Sequence, residues 1–176
     1  MPKGVMSEEG FETMIVDALV SANGYEEGSN DTYDMSYCID TERLFRFLKC
    51  TQEDTYNAIG LNNDGERKKF LKRLSDEITR RGIIDVLKNG IKYYPSGLVL
   101  FYLLPNEKNP KAVENYGRNI FSVTRQLHYS EQHPGLAIDL VIFVNGIPVI
   151  TMELKNRITG QTYENAIKQY KTDRDP

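Results

Sequence analysis

One stretch constrains this chain more than any other. In AIDLVIFVNGIPVITMELKN, residues 137–156, two apolar, β-branched runs meet at Asn145-Gly146. Asn-Gly between such runs is the strongest short-range hairpin signal, because both residues tolerate the left-handed backbone of a tight turn between twisted strands. Leu136–Val144 and Ile147–Leu154 are therefore expected as paired antiparallel strands. Three charges stand in or at the end of these runs: Asp139, Glu153 and Lys155. Strand side chains alternate, so Glu153 and Lys155 point to one side. Leu154 points to the other, with Met152 and Ile150, toward a core.

Whether Asp139 joins the acid–lysine pair depends on the turn. A strict two-residue loop pairs Val144 with Ile147 and sets Asp139 opposite Met152, on the wrong face. A three-residue loop with Gly146 in a bulge, or a bulge elsewhere along the hairpin, moves the register by one and puts Asp139 on the face of Thr151 and Glu153. Two acids and a lysine converging on one point could hold Mg²⁺ against a phosphodiester and orient the attacking water. The alternative is that Glu153 and Lys155 are solvated strand ends. Asp139 resists that reading, since an unpaired carboxylate in an apolar run is costly to bury.

The rest of the chain supplies a setting. Ser7–Ala22 is expected as a helix, capped by Ser7, with Phe11, Ile15, Ala18 and Leu19 inward. Glu26–Tyr37 is polar and turn-rich and is expected as a surface loop. Helices are expected at Asp40–Lys49, Glu66–Arg81 and Ile83–Leu87, the last two separated by Gly82. A hairpin is expected from Ile91–Tyr94 and Leu98–Leu104, a loop and short helix in Asn106–Asn115, a strand in Asn119–Tyr129, and a helix in Gln161–Lys171 with Tyr163, Ala166, Ile167 and Tyr170 on one face. This gives an α/β (α+β) fold: a mixed central sheet flanked by helices, with a helical subdomain at about 40–90. The core is about 91–176 plus helix 7–22.

At 176 residues the chain suits one ordinary domain with its own core. It has no apolar run long enough to span a bilayer and no secretory leader, and two cysteines, Cys38 and Cys50, build no disulfide framework; a reducing cytoplasm is expected. A net charge of −3 argues against coating nucleic acid through bulk positive charge but leaves local contact open. Lys68, Lys69, Lys72, Arg73, Arg80 and Arg81 form a basic stretch that could touch phosphates. Asp76 and Glu77 interrupt it, and a solvated helix face is the reading taken. His128 and His133 have no zinc-ligand spacing with either cysteine. Of Arg125 and Gln126, strand alternation permits only one to face inward.

With these residues in view, the chain resembles the N-terminal nuclease region of the R subunit of type I restriction endonucleases, within the PD-(D/E)xK superfamily. The resemblance rests on RRGIIDVLKNGIKYY (80–94), NIFSVTRQLHYSE (119–131), DLVIFVNGIPVITMELKN (139–156), TGQTYENAIKQYKTDRDP (159–176) and FETMIVDALVSANGY (11–25). It implies a restriction-endonuclease-like fold across 1–176 and a type I site-specific deoxyribonuclease acting on double-stranded DNA. By resemblance Asp139 and Glu153 hold Mg²⁺ with the backbone carbonyl of Leu154, and Lys155 positions the water. Ile138 replaces the proline of the name. Many R subunits carry a QxxxY pattern on the next helix. Here Ala166 stands four before Tyr170 and the glutamine is Gln169, so Gln169 and Tyr170 are candidates, with helix packing the alternative for Tyr170. Glu12 is the candidate acid on the first helix. The resemblance further implies modification and specificity subunits as partners, and an ATP-driven motor in a longer chain; no GxxxxGK[ST] occurs here. The competing readings are a PD-(D/E)xK nuclease of another DNA-processing system, and a non-catalytic DNA-docking or assembly module.

Overall fold

The computed structural model describes residues 7–105, 109–155 and 163–173. Helix α1 (Glu8–Asp17) runs into a π-helical turn (Ala18–Ala22) and is followed by a two-residue strand, β1 (Glu26–Glu27). A small hairpin of β2 (Tyr33–Asp34) and β3 (Ile39–Asp40) leads into helices α2 (Thr41–Thr51), α3 (Glu53–Ala58), α4 (Asp64–Arg81) and α5 (Ile83–Asn89). A second hairpin, β4 (Ile91–Tyr93) and β5 (Ser96–Leu98), precedes α6 (Pro110–Tyr116). Strands β6 (Phe121–His128), β7 (Ala137–Val144) and β8 (Ile147–Met152) then form a meander, and α7 (Tyr163–Lys168) continues as a π-helical turn (Gln169–Asp173).

The main sheet has the order β1-β6-β7-β8, with β1 parallel to β6 and the other pairs antiparallel. It is the mixed sheet expected. One of its strands comes from the segment expected as loop, because a two-residue strand leaves no alternating pattern to read. Val16, from α1, packs on one face with Val123, Leu140, Ile142 and Leu154; Leu127, Val141 and Phe143 pack together in a separate cluster. The largest core lies among the helices, where Leu44, Phe47, Leu48, Phe70, Leu74 and Val86 enclose Leu98, Leu100 and Ile147. Each such side chain contributes about 1.5–3 kcal/mol on burial.

The β7–β8 turn joins the sheet to the helical core. Asn145 (φ 50°) and Gly146 (φ 80°) are both left-handed, as a tight two-residue turn requires. A Cβ on Gly146 would meet the Asp40 carbonyl oxygen at 2.3 Å, and the Asp40 amide donates to the Gly146 carbonyl at 2.9 Å. Asp40 also caps α2 by accepting the Arg43 amide at 3.2 Å. The turn therefore sits against the first turn of α2, where only glycine fits.

Local signals placed most helix ends. Ser7 accepts the Gly10 amide at 3.0 Å, and Gly82 (φ 84°) and Gly90 (φ 63°) close α4 and α5. On α1, Ile15 and Leu19 pack on the core as expected, but the buried residues are Glu12 and Val16, while Phe11 is 42% exposed and Ala18 is exposed. Leu98–Leu104 is not a strand beyond Leu98; its partner β4 is only three residues long, and residues 99–105 run as coil. Helix α3 had no apolar period long enough to register. Gln161 of the expected last helix lies outside the described residues, and within α7 Tyr163 and Ile167 are exposed rather than packed.

Candidate active site

The hairpin register decides which charges meet. Val144 pairs with Ile147 and Phe143 with Pro148, as a strict two-residue turn dictates. The register then shifts: Ile142 pairs with Ile150, Val141 with Thr151 and Leu140 with Met152. Val149 is the extra residue of a β-bulge on β8. The bulge thus stands within the strand and not in the turn, and continuing the register sets Asp139 across from Glu153 instead of Met152. Val149 packs against both the helical core and the α1 layer, which gives the inserted residue something to bury. Leu154 and Met152 join the α1 layer as expected; Ile150, expected with them, is 49% exposed.

A second irregularity lies on the neighbouring strand. Gln126, opposite Asp139, has φ 44°, a left-handed backbone costing about 1–2 kcal/mol in a residue other than glycine. Alternation fails there, and Arg125 and Gln126 both reach α1. The Arg125 Nη1 donates to Thr13 Oγ1 at 3.1 Å, and the Gln126 Nε2 donates to Glu12 Oε2 at 2.7 Å. The expectation that only one could face inward is corrected by this kink. The Asn30 side chain pairs the two backbone groups beside the distortion, donating to the Gln126 carbonyl at 3.2 Å and accepting the His128 amide at 2.9 Å.

Around this point the polar groups gather. The Gln126 Nε2 also lies 3.4 Å from Asp139 Oδ1, so one amide nitrogen bridges the acids of α1 and β7. Asp139 Oδ2 accepts the Leu154 amide at 2.6 Å, tying β7 to the residue between Glu153 and Lys155. Strand β8 ends at Met152, so Glu153 and Lys155 lie just past it, yet they share a side: Lys155 Nζ is 3.0 Å from Glu153 Oε1, with side chains 15% and 3% exposed. A carboxylate so enclosed needs a cation, and Lys155 provides it.

The structure therefore brings Glu12, Asp139 and the Leu154 backbone to one place with Gln126, a residue that sequence reasoning named only as a strand position. Its signal was a backbone kink that no glycine or proline announces. Gln169 and Tyr170 lie in the final π-helical turn, where Tyr170 is 41% exposed. Among the described residues no three acidic, histidine or cysteine groups converge on a single ion position. The oxygens at hand are carboxylates, the chemistry that suits Mg²⁺, which needs only one or two protein carboxylates and keeps several waters.

Fold and site together define a mixed-sheet α+β domain with an acid-and-lysine cluster at the open end of its central hairpin. The chain belongs to the family of the type I restriction enzyme R protein N terminus, whose family model matches residues 5–176. It is 29% identical over 122 residues to a provisionally named type I restriction enzyme MjaVIIIP endonuclease subunit of Methanocaldococcus jannaschii. That match covers 63% of this chain and 11% of the relative's length. No solved structure matches. Among the described residues no helix is long and apolar enough to cross a membrane.

Proposed function

We propose that this domain is the Mg²⁺-dependent, PD-(D/E)xK-type DNA-cleaving module of an ATP-dependent type I restriction enzyme, with double-stranded DNA as substrate. Family membership supports the setting. The observation that carries the chemistry is the Val149 bulge, because it aligns Asp139 with Glu153 in a hairpin whose turn alone would set them on opposite faces. A gratuitous acid pair would not need a register correction.

In this reading Asp139, Glu153 and the Leu154 carbonyl hold the ion. When bound, Mg²⁺ supplies positive charge to the phosphate and lowers the pKa of a coordinated water. Gln126 keeps Asp139 and Glu12 oriented through its amide. Lys155 leaves Glu153 to hold the attacking water and steer its proton. Modification and specificity subunits, and an ATP motor in the longer protein, bring the DNA to the site.

Asp139→Asn tests the proposal at modest cost to folding, since the amide oxygen can still accept the Leu154 N–H while the new amide nitrogen only replaces the long 3.4 Å contact with Gln126. In the complete restriction complex it should lower cleavage at least a hundredfold, as losses of a transition-state charge contact do, while ATP hydrolysis persists. Lys155→Ala should act alike, though it removes the cation paired with the enclosed Glu153 carboxylate, which costs stability as well. Undiminished cleavage by Asp139→Asn would refute the assignment. A complex that never cleaves, yet needs this domain for assembly, would favour a docking role.

A further inference from the structure

Lys68, Lys69, Lys72, Arg73 and Arg80 of the basic stretch are exposed, as a solvated face requires, but its arginines share one buried acid. Arg73 Nη2 is 2.8 Å from Glu77 Oε1, Arg80 Nη2 is 2.6 Å from Glu77 Oε2, and Arg81 Nη1 is 3.2 Å from the same oxygen. Glu77 is 3% exposed, so it does not interrupt a surface patch; it lies beneath the patch and gathers three guanidinium groups. Arg81 is shared with Asp85, at 2.5 Å, and with the Gly90 carbonyl, at 3.0 Å. Arg73 and Arg80 have no further acidic partner among the described residues, and their side chains are 50% and 68% exposed.

These arginines open onto a concavity of about 820 Å³ between the end of α4, the cap of α5 and the β4–β5 hairpin. Arg73, Arg80, Arg81 and Lys92 line it, with Gly90 and Gly97 leaving backbone close to its wall. Four cations line it with one acid, Glu77, and among the described residues Asp85 pairs with Arg81 alone, which leaves a local excess of positive charge on a chain whose net charge is −3. An arginine fork has five donors, and each of Arg73 and Arg80 spends little on Glu77. Held at one end and open at the other, they have already lost much of the side-chain freedom that binding would remove.

We propose that this groove binds the phosphodiester backbone of duplex DNA, as a contact separate from Asp139, Glu153 and Lys155. It rests on the reading that the domain's substrate is DNA. Arginine forks match phosphate oxygens in pairs, and such contacts set register on the duplex without reading sequence.

The test is binding of the 176-residue chain to a short fluorescent duplex, by anisotropy across a salt series in EDTA, so that cleavage plays no part. Arg73→Gln/Arg80→Gln should weaken binding about tenfold and make the log–log salt slope shallower by roughly 2, the value for two lost phosphate contacts. Lys68→Gln/Lys69→Gln, an equal charge change elsewhere on α4, should do much less. If the glutamine pair lowers the melting temperature, Arg73→Lys/Arg80→Lys keeps the charge and should restore the salt slope. Equal losses from the arginine and lysine pairs would overturn the proposal. So would a groove that binds inorganic pyrophosphate while duplex affinity ignores both arginines. A parent chain that binds no duplex overturns it too. None of these outcomes touches the nuclease reading, which Asp139→Asn judges in the complete complex.

Discussion

Asn145→Ala is the substitution for which the structure gives the clearest expectation. Asn145 is fully buried. Its Oδ1 accepts the Ile120 amide at 2.6 Å, and its Nδ2 donates to the Leu100 carbonyl at 2.9 Å and to Asn119 Oδ1 at 3.0 Å. Asn119 in turn holds both backbone groups of Tyr102, at 3.0 and 2.7 Å. The two amides thus fasten coil 100–102 to the sheet at the turn that sets the hairpin register. Alanine strands the Ile120 N–H and the Leu100 carbonyl, at about 1–3 kcal/mol for a buried unpaired group. It also puts a residue that dislikes φ 50° in the turn, for roughly 1 kcal/mol more. The sum is about 3–7 kcal/mol, a large share of the 5–15 kcal/mol typical of a domain. At roughly 2–4 °C per kcal/mol, the melting temperature should fall by about 6 °C at least and up to about 28 °C. Asn145→Gly removes the same bonds without the backbone strain, so it should be milder by about 1 kcal/mol. Urea unfolding of the three chains measures both differences. If Asn145→Ala costs under about 1 kcal/mol, the buried amides are not what holds the coil to the sheet and the reasoning fails.

Two further outcomes follow from the geometry. Deleting Val149 together with Ile150 removes the bulge and slips β8 by one residue, so Asp139 should come opposite Leu154; cleavage by the complete complex should drop on the order of a hundredfold, the scale of a misplaced catalytic group, with secondary structure by circular dichroism retained. Full cleavage would show that the register does not matter. Stability should also decline in acid: the Tyr93 hydroxyl and Lys69 hold the Glu66 carboxyl below its usual range, Arg80 and then Arg81 do so for Glu77, and Arg81 and Asn89 for Asp85. Lowered carboxyl values stabilise the fold fully above the ordinary glutamate pKa of 4.5 and lose that effect as pH falls below it. Glu77→Gln should flatten the acid limb of the urea midpoint, and an unchanged limb would exclude Glu77 as a source.

What the sequence made legible, and what it hid, divides along a physical line. The Asn145-Gly146 turn, the Ser7 cap and the glycine ends of α4 and α5 are local events, each decided by the backbone freedom or hydrogen-bonding reach of one or two residues. The pairing of Glu153 with Lys155 followed from strand alternation, a property of any extended chain. The alignment of Asp139 needed a bulge, and alternation could state that need without saying where. Its position depends on Val149 finding two cores to fill, and those cores come from α1 and from the helices before residue 100. Gln126 was hidden for the same reason: its left-handed backbone is sustained by Asn30 and Glu12, which are remote in sequence. Glu77 is misjudged because an acid on a helix is read as solvated until something basic is known to face it, and Glu12 is named by the resemblance alone because the Gln126 amide that meets it is remote in sequence. The candidate site is assembled where strand periodicity breaks. Regular strands would have been easier to read and would have left Asp139 facing the wrong layer.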